Sequence, residues 1–221
     1  MLNISVITNY SQLEDKILDH ELQMTFLYNL LTDQEELNTV ERMMTSFKLA
    51  KMYTQTGAET FDTEHLLSIH KYLFDDIYEF AGTIRNENIA KSFTFCLVHL
   101  VPQNLKYTLD QAKKKIPTIK SREELLKFIT VLYSDLDMIH PFREGNGRTE
   151  REFIRQLIDY ICKKNGLEPY ELDYSMIKSR DEYIAAIIKA DALCQYGDLM
   201  ALFDSILVVK EKAVSEQLGT K

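Results

Sequence analysis

The spacing of apolar residues predicts helices along most of the chain. In residues 12–31 the apolar positions recur at intervals that place them on one helical face: Leu13, Ile17, Leu22 and Phe26. The same periodicity predicts further helices over 35–55, 64–79, 104–115, 122–139, 147–164, 180–190 and 198–216. Glycines and prolines are few, and they mark helix boundaries rather than frequent hairpins. The pattern therefore predicts an all-α fold.

Residues 83–102 interrupt this pattern. They lack a helical stripe and contain several residues that favour β-structure: Ile84, Phe93, Thr94, Phe95 and Val98. We interpret this stretch as a loop with a short hairpin. Because no linker, repeat or low-complexity segment is found, the sequence predicts one domain over 1–221. It would have N-terminal helices at about 12–55, a core at about 60–207 and the end of a C-terminal helix at about 208–221.

Composition narrows the classes of ligand and partner. The net charge is −8, which argues against a nucleic-acid partner, because such proteins need a basic face. Neither a signal-peptide pattern nor an apolar run long enough for a membrane span is present. We therefore expect a cytoplasmic protein without membrane contact, although secretion without a cleaved signal remains open. Cys96, Cys162 and Cys194 are widely separated, which favours reduced thiols over disulfides or a zinc site.

The segment from His140 to Arg151, HPFREGNGRTER, holds most of the candidate chemistry. His140 ends an amphipathic helix, which Pro141 breaks, and a glycine-containing loop leads to the next helix. A helix N-terminus after such a loop suits an anion, because its unpaired N–H groups and positive end face the ligand. Gly145 and Gly147 would let the backbone approach a phosphate and adopt positive φ.

Three further side chains fit a phosphorylated ligand. Arg148 and Arg151 lie three residues apart on one face of the first helical turn, where both could bind phosphate oxygens. Glu144 offers a hard oxygen for Mg²⁺, and His140 is suited to act as a general base near neutral pH. Phe142 is expected to point into the core and anchor the turn. Each residue alone has an ordinary structural explanation, and their combination favours a site.

This segment resembles the signature of the Fic family, HxFx(D/E)GNGRxxR, at all eight fixed positions. The similarity extends upstream through Ile69–Phe74, Tyr78–Arg85 and Asn88–Lys91, and covers roughly residues 37–207. The resemblance implies a Fic-type helical bundle with one small β-hairpin, the flap, beside the active site. It also implies a protein adenylyltransferase, which transfers AMP from ATP to a Ser, Thr or Tyr hydroxyl of a target protein or of itself.

The resemblance assigns roles to single residues. His140 would deprotonate the target hydroxyl, and Glu144 would hold Mg²⁺. ATP binding would fall to Lys91, Ser92, Arg143, Gly145, Asn146, Gly147, Arg148 and Arg151. Asn146 and the loop amides would contact the α-phosphate, and the two signature arginines the β- and γ-phosphates. The flap, about Lys91–Phe95, would receive an extended target segment by strand addition, although a purely structural hairpin is the alternative.

Other Fic-like chemistries are conceivable. The Doc type, which phosphorylates, has lysine where this chain has Gly147, so AMP transfer is favoured; transfer of another phosphate-containing group is the alternative. No residue clearly recognises the base: Tyr183 is either a stacking partner or simply packed. The rival from another class is a catalytically silent Fic fold that binds proteins, against which the intact His140 argues.

Many family members carry an inhibitory helix of pattern (S/T)xxxE(G/N). The only full match, Thr83–Asn88, falls before the flap, where no such helix is expected, and Thr32–Glu36 matches in part. We therefore expect no inhibitory glutamate within the chain, and Thr32–Glu36, with Glu36 as the glutamate, is the one in-chain site that stays open. Restraint would come from a separate antitoxin-like protein, as in bacterial toxin–antitoxin pairs, or from homo-oligomerisation.

Overall fold

The computed structural model describes residues 34–54, 60–91 and 93–210. Within these residues the chain forms seven α-helices: α1 (Gln34–Thr54), α2 (Thr63–Phe74), α3 (Val101–Lys115), α4 (Arg122–Ile139), α5 (Asn146–Asn165), α6 (Arg180–Leu193) and α7 (Gly197–Ile206). Two short strands, β1 (Tyr170–Leu172) and β2 (Leu207–Val209), form an antiparallel pair. The predicted helix over 12–31, the segment 211–216 and Ser92 lie outside the described residues. The predicted, mostly helical fold class is confirmed.

The described residues form two compact units, one within residues 34–54 and 68–83, the other within residues 60–67, 84–91 and 93–210. In the first unit, Lys48 on α1 is buried and pairs with Asp75 at 2.6 Å and Asp76 at 2.5 Å. The tyrosine hydroxyl of Tyr78 donates a hydrogen bond to Glu41 of the same unit. The single domain over 1–221 stays a prediction.

Helix α4 is the central element of the second unit, where it packs against α3, α5, α6 and α7. Its first turn is capped by Ser121, whose side chain accepts a hydrogen bond from the Glu124 N–H. It ends at His140, which adopts a left-handed conformation with φ of 48° before Pro141. The predicted range 122–139 is therefore confirmed, and its apolar stripe lies in the core as Leu125, Ile129, Tyr133 and Leu136.

Several predicted helix ends were wrong. Helix α2 ends at Phe74 rather than at residue 79, because the next residues, Asp75 and Asp76, bind Lys48 and are unfavourable at the negative end of a helix. Helix α3 begins at Val101 rather than at residue 104, since Pro102 is tolerated in a first helical turn. Helix α6 runs on to Leu193 and ends where Cys194 turns left-handed, with φ of 53°.

The last predicted helix, over 198–216, was also wrong in its second half. Helix α7 ends at Ile206, and the chain continues as β2, with Leu207 opposite Leu172 and Val209 opposite Tyr170. The β-branched residues of this run favour a strand once a partner strand is in reach. Arg122 of α4 reinforces the turn by donating to the carbonyl oxygens of Asp204 and Leu207.

The predicted flap is smaller than a regular hairpin. Among the described residues of 83–102, β-structure consists of one antiparallel bridge between Ala90 and Thr94, with a hydrogen bond from the Lys91 N–H to the Phe93 carbonyl. The chain then enters a 3₁₀ turn at Val98–Leu100. In the described residues, 34–54, 60–91 and 93–210, no helix has the length and apolar character needed to cross a bilayer.

Candidate active site

The loop between α4 and α5 is closed by a clamp between Phe142 and Asn146. Phe142 is fully buried, as predicted, and its N–H donates to Asn146 Oδ1 at 2.9 Å. Asn146 Nδ2 donates to the Phe142 carbonyl at 2.8 Å. The Asn146 side chain thus fixes the loop, and its contact with the α-phosphate stays a prediction.

Arg85 ties the segment before the flap to this loop. Its buried guanidinium donates to the carbonyl oxygens of His140, at 2.8 Å, and of Glu87, at 2.6 Å. It also donates to the carbonyls of Cys96 and Ile139. Sequence reasoning gave Arg85 no role beyond the resemblance, because its acceptors are backbone atoms distant in sequence.

The ring of His140 is held on two sides. Nδ1 lies 3.1 Å from the Asp137 carbonyl oxygen, which can only accept, so Nδ1 carries the proton and Nε2 is left as the acceptor. Phe95 stacks on the ring, with centroids 3.9 Å apart and planes 14° apart. The predicted base is therefore oriented by the end of α4 and by the flap segment.

A cavity of about 350 Å³ brings together most of the predicted site residues. Its lining includes Lys91, His140, Glu144, Gly145, Asn146, Gly147, Arg148 and Arg151. Arg143 is not brought into it: this side chain is 64% exposed, and its Nε lies 3.5 Å from Glu87 Oε1. A larger cavity of about 640 Å³ between α3 and α4 contains none of the predicted site residues.

The N-terminus of α5 forms the floor of the smaller cavity. Gly145 stands before it with φ of 81° and provides no side-chain cap, so the first N–H groups can face an anion. The prediction of positive φ is confirmed for Gly145 and was wrong for Gly147, which is helical. A Cβ at position 147 would lie 3.2 Å from Arg151 Nη1, so the missing side chain makes room for that guanidinium.

Arg151 is surrounded by tyrosines. Its guanidinium carbon lies 5.7 Å from the ring centroid of Tyr174, and Tyr183 and Tyr133 join their hydroxyls at 2.7 Å. Burial alone would lower the pKa of Arg151, but the neighbouring tyrosines, Tyr133 first, raise it. Tyr183 lines the cavity, and its hydroxyl is engaged by Tyr133. These tyrosines were missed as neighbours of Arg151, because they come from separate helices and turns.

Glu144 lies exposed at the rim of the cavity and offers a carboxylate to its interior. This donor suits Mg²⁺, which is commonly bound by one or two carboxylates, water and substrate phosphates. A second group of donors lies behind His140: single ligand atoms of Asp137, His140 and Glu150 all lie within 4.8 Å of one another. Sequence reasoning did not identify Asp137 or Glu150.

Three carboxyl groups cluster behind the ring, namely Asp137, Glu150 and Asp191. Burial first, and then Asp137, raise the pKa of Glu150 well above its usual range. Burial likewise raises the pKa of Asp191 to about 8. Burial alone would raise the pKa of Asp137, but hydrogen bonding, first with His140, brings this pKa below its usual value. The sequence does contain one signal for Glu150: this residue occupies the apolar stripe of α5 that continues at Phe153, where a charged residue is unusual.

A helix N-terminus, two arginines and an oriented histidine line one cavity, an arrangement that suits a phosphorylated ligand. Residues 60–158 match the model of the Fic/DOC family, which identifies this segment of the chain as a Fic domain. The resemblance drawn from the signature is thereby confirmed.

The chain is 32% identical over 176 residues to protein adenylyltransferase VbhT of Bartonella schoenbuchensis, covering 73% of this chain and 33% of that relative. It is 28% identical over 175 residues to the probable protein adenylyltransferase y4lH of Sinorhizobium fredii, covering 78% and 83% of the two chains. The BepC protein of Bartonella tribocorum, solved with bound AMPPNP, superposes with a TM-score of 0.69 at 21% identity, covering 82% of this chain and 90% of that one. The chain thus spans about a third of VbhT and most of y4lH.

Proposed function

We propose that the protein is an adenylyltransferase that transfers AMP from ATP to a hydroxyl group of a target protein. The observation that carries this proposal is the shared cavity: His140, the N-terminus of α5 and Arg151 line one space. The names of the curated relatives, which are protein adenylyltransferases, support AMP as the transferred group.

His140 would act as the base. With Nδ1 held by the Asp137 carbonyl, Nε2 takes the proton of the target hydroxyl. The hydroxyl oxygen then bonds to the α-phosphorus, the bond from that phosphorus to the bridging oxygen of the β-phosphate breaks, and pyrophosphate leaves. The stack of Phe95 on the ring restricts its rotation during this transfer.

The α5 N-terminus would stabilise the charge that develops on the α-phosphate. Backbone N–H groups at Asn146 and Gly147 point from a helix end that favours anions. Arg148 and Arg151 would bind the β- and γ-phosphates, and the tyrosines around Arg151 keep its guanidinium in one orientation. Bound Mg²⁺, held by Glu144, would neutralise phosphate charge.

Partners and location follow as proposals of the same kind. The target segment would lie along the flap, about Lys91–Phe95, and add as a strand next to the Ala90–Thr94 bridge. A separate antitoxin-like protein or a homo-oligomer would restrain the enzyme. We expect it to act in a cytoplasm, without nucleic-acid or membrane partners.

Two radioactive labels on ATP test the reaction. Incubation with Mg²⁺ and candidate targets should transfer label from the α-phosphate and none from the γ-phosphate. His140→Ala should abolish transfer, and His99→Ala, at an exposed histidine, should not. Transfer of the γ-label would identify a kinase instead. No transfer by the wild type, tested with targets and without inhibitor, would favour the protein-binding module.

A further inference from the structure

The three carboxyl groups behind His140 are too close together and too deeply buried to be ionised at the same time. Glu150 is fully buried, Asp191 is 7% exposed, and the Asp137 side chain is 16% exposed. The titratable or charged groups that face the cluster are His140 and Arg151, with Asp135 beyond Asp191. Three ionised carboxylates in this space would repel one another at low dielectric, so protons must be retained.

The carboxyl oxygens of the cluster differ in their hydrogen-bond partners. Asp191 Oδ1 accepts from the Ser134 hydroxyl at 2.6 Å, whereas its Oδ2 is buried without a partner among the described residues. Within the described part of the chain, neither oxygen of Glu150 has a hydrogen-bond partner, although Asp137 adjoins it. Two carboxylates cannot bond to each other, whereas a protonated Glu150 can donate to Asp137. The directions of the pKa shifts agree: Glu150 and Asp191 are raised, and Asp137 is lowered.

Asp137 is then the ionised carboxyl group of the three, and it is also the one that contacts His140, the proposed base. Its Oδ1 lies 3.5 Å from His140 Nδ1, in addition to the carbonyl contact of the same residue. A carboxylate at this position favours the Nδ1–H tautomer and stabilises the imidazolium that forms when Nε2 takes a proton.

We propose that Glu150 is a positioning residue, whose protonated carboxyl donates to Asp137 and holds its carboxylate against His140. This proposal rests on the proposed function for its catalytic consequence, but the arrangement itself can be tested without transfer activity. The alternative, a metal ion held by Asp137, His140 and Glu150, is less favoured because Glu150 is fully buried and does not line the cavity.

The test replaces a carboxyl group by an amide at Glu150 and at Asp137, with Glu168→Gln, at an exposed site, as the control. NMR would follow the ring titration of His140 in folded wild type and variants. Glu150→Gln keeps a neutral donor, so the midpoint of the His140 titration should stay within about 0.3 pH units of wild type. Asp137→Asn removes the carboxylate and should lower that midpoint by about 1 pH unit or more. An equally large fall in Glu150→Gln would mean that Glu150 is ionised and would overturn the proposal.

Kinetics and metal titration complete the test. Glu150→Gln should keep kcat within about 3-fold, and Asp137→Asn should lower kcat by at least about 10-fold with the KM for ATP unchanged. Glu150→Met, which cannot donate, should resemble Asp137→Asn; full activity in this folded variant would contradict the proposal. A shift of the His140 resonances by Mg²⁺, Mn²⁺ or Zn²⁺ without nucleotide, lost in Glu150→Gln, would establish the metal site instead. A wild type that transfers no AMP but shows the expected NMR pattern would refute only the proposed function.

Discussion

Replacement of Gly147 by alanine should separate stability from activity. The added Cβ would lie 3.2 Å from Arg151 Nη1 and 4.0 Å from its Cζ. The first distance is shorter than an ordinary van der Waals contact, so the guanidinium must move by a few tenths of an ångström. The backbone needs no adjustment, because Gly147 is helical and has no positive φ.

The magnitude follows from what the guanidinium binds. A hydrogen bond to a charged group contributes about 1.5–3 kcal/mol. Since about 1.4 kcal/mol is tenfold in rate, partial loss of the Arg151–phosphate contacts should lower kcat/KM for ATP by about 10- to 100-fold. Alanine in place of a helical glycine stabilises by up to about 1 kcal/mol, so the melting temperature should be unchanged or slightly higher.

The assay measures steady-state AMP transfer together with thermal unfolding. Gly197→Ala is the matched control, because Gly197 begins α7 and a Cβ there would meet no atom within 4 Å. A double-mutant cycle with Arg151→Ala should show non-additive losses, since both changes act on one guanidinium. Wild-type kcat/KM in Gly147→Ala, or full additivity in the cycle, would refute this reasoning.

Three further outcomes are expected. Arg85→Lys should lower the unfolding free energy by about 1–3 kcal/mol in urea, because one ammonium cannot reach all four carbonyls that the buried guanidinium binds. Arg180→Lys, at an exposed position, is its control, and equal stabilities would contradict the role of Arg85. Burial raises the pKa of Asp191 from 3.8 to about 8, so Asp191 costs stability that grows from about pH 4 to about pH 8, by up to about 1.4 kcal/mol per pH unit. The unfolding free energy of Asp191→Asn should therefore exceed that of wild type by a difference that grows from about pH 4 to about pH 8. A difference independent of pH would contradict the raised pKa of Asp191. Glu36→Gly should leave self-labelling with ATP unchanged, and a sharp rise would show that an inhibitory glutamate lies within the chain after all.

The parts predicted well from sequence are those that local residues determine. Ser121 caps α4, its apolar period sets the buried face, and the His140–Pro141 step ends it, so the range 122–139 needed no distant information. The phosphate-binding loop was recognisable because its residues are contiguous. Strand β2 could not be recognised from sequence, because its apolar residues continue the pattern of α7 and its partner strand, β1, is distant in sequence.

The same limit applies inside the site. Sequence spacing places Arg143 beside the loop but does not give the direction of its side chain, which lies near Glu87 instead of in the cavity. Arg85 and Phe95 act on His140 through contacts across the fold. Asp137 and Glu150 could be recognised only by asking which acidic residues fall on buried helical faces.

The clamp between Phe142 and Asn146 has an evolutionary consequence. It joins the end of α4, which carries the proposed base, to the start of α5, the proposed phosphate site, through two hydrogen bonds contained within five consecutive positions. The spacing of the two reactive elements is thereby inherited as one cassette, with few demands on the rest of the sequence. Surfaces outside this loop, such as the flap segment proposed to bind the target, are then free to change in sequence without altering the spacing of the site.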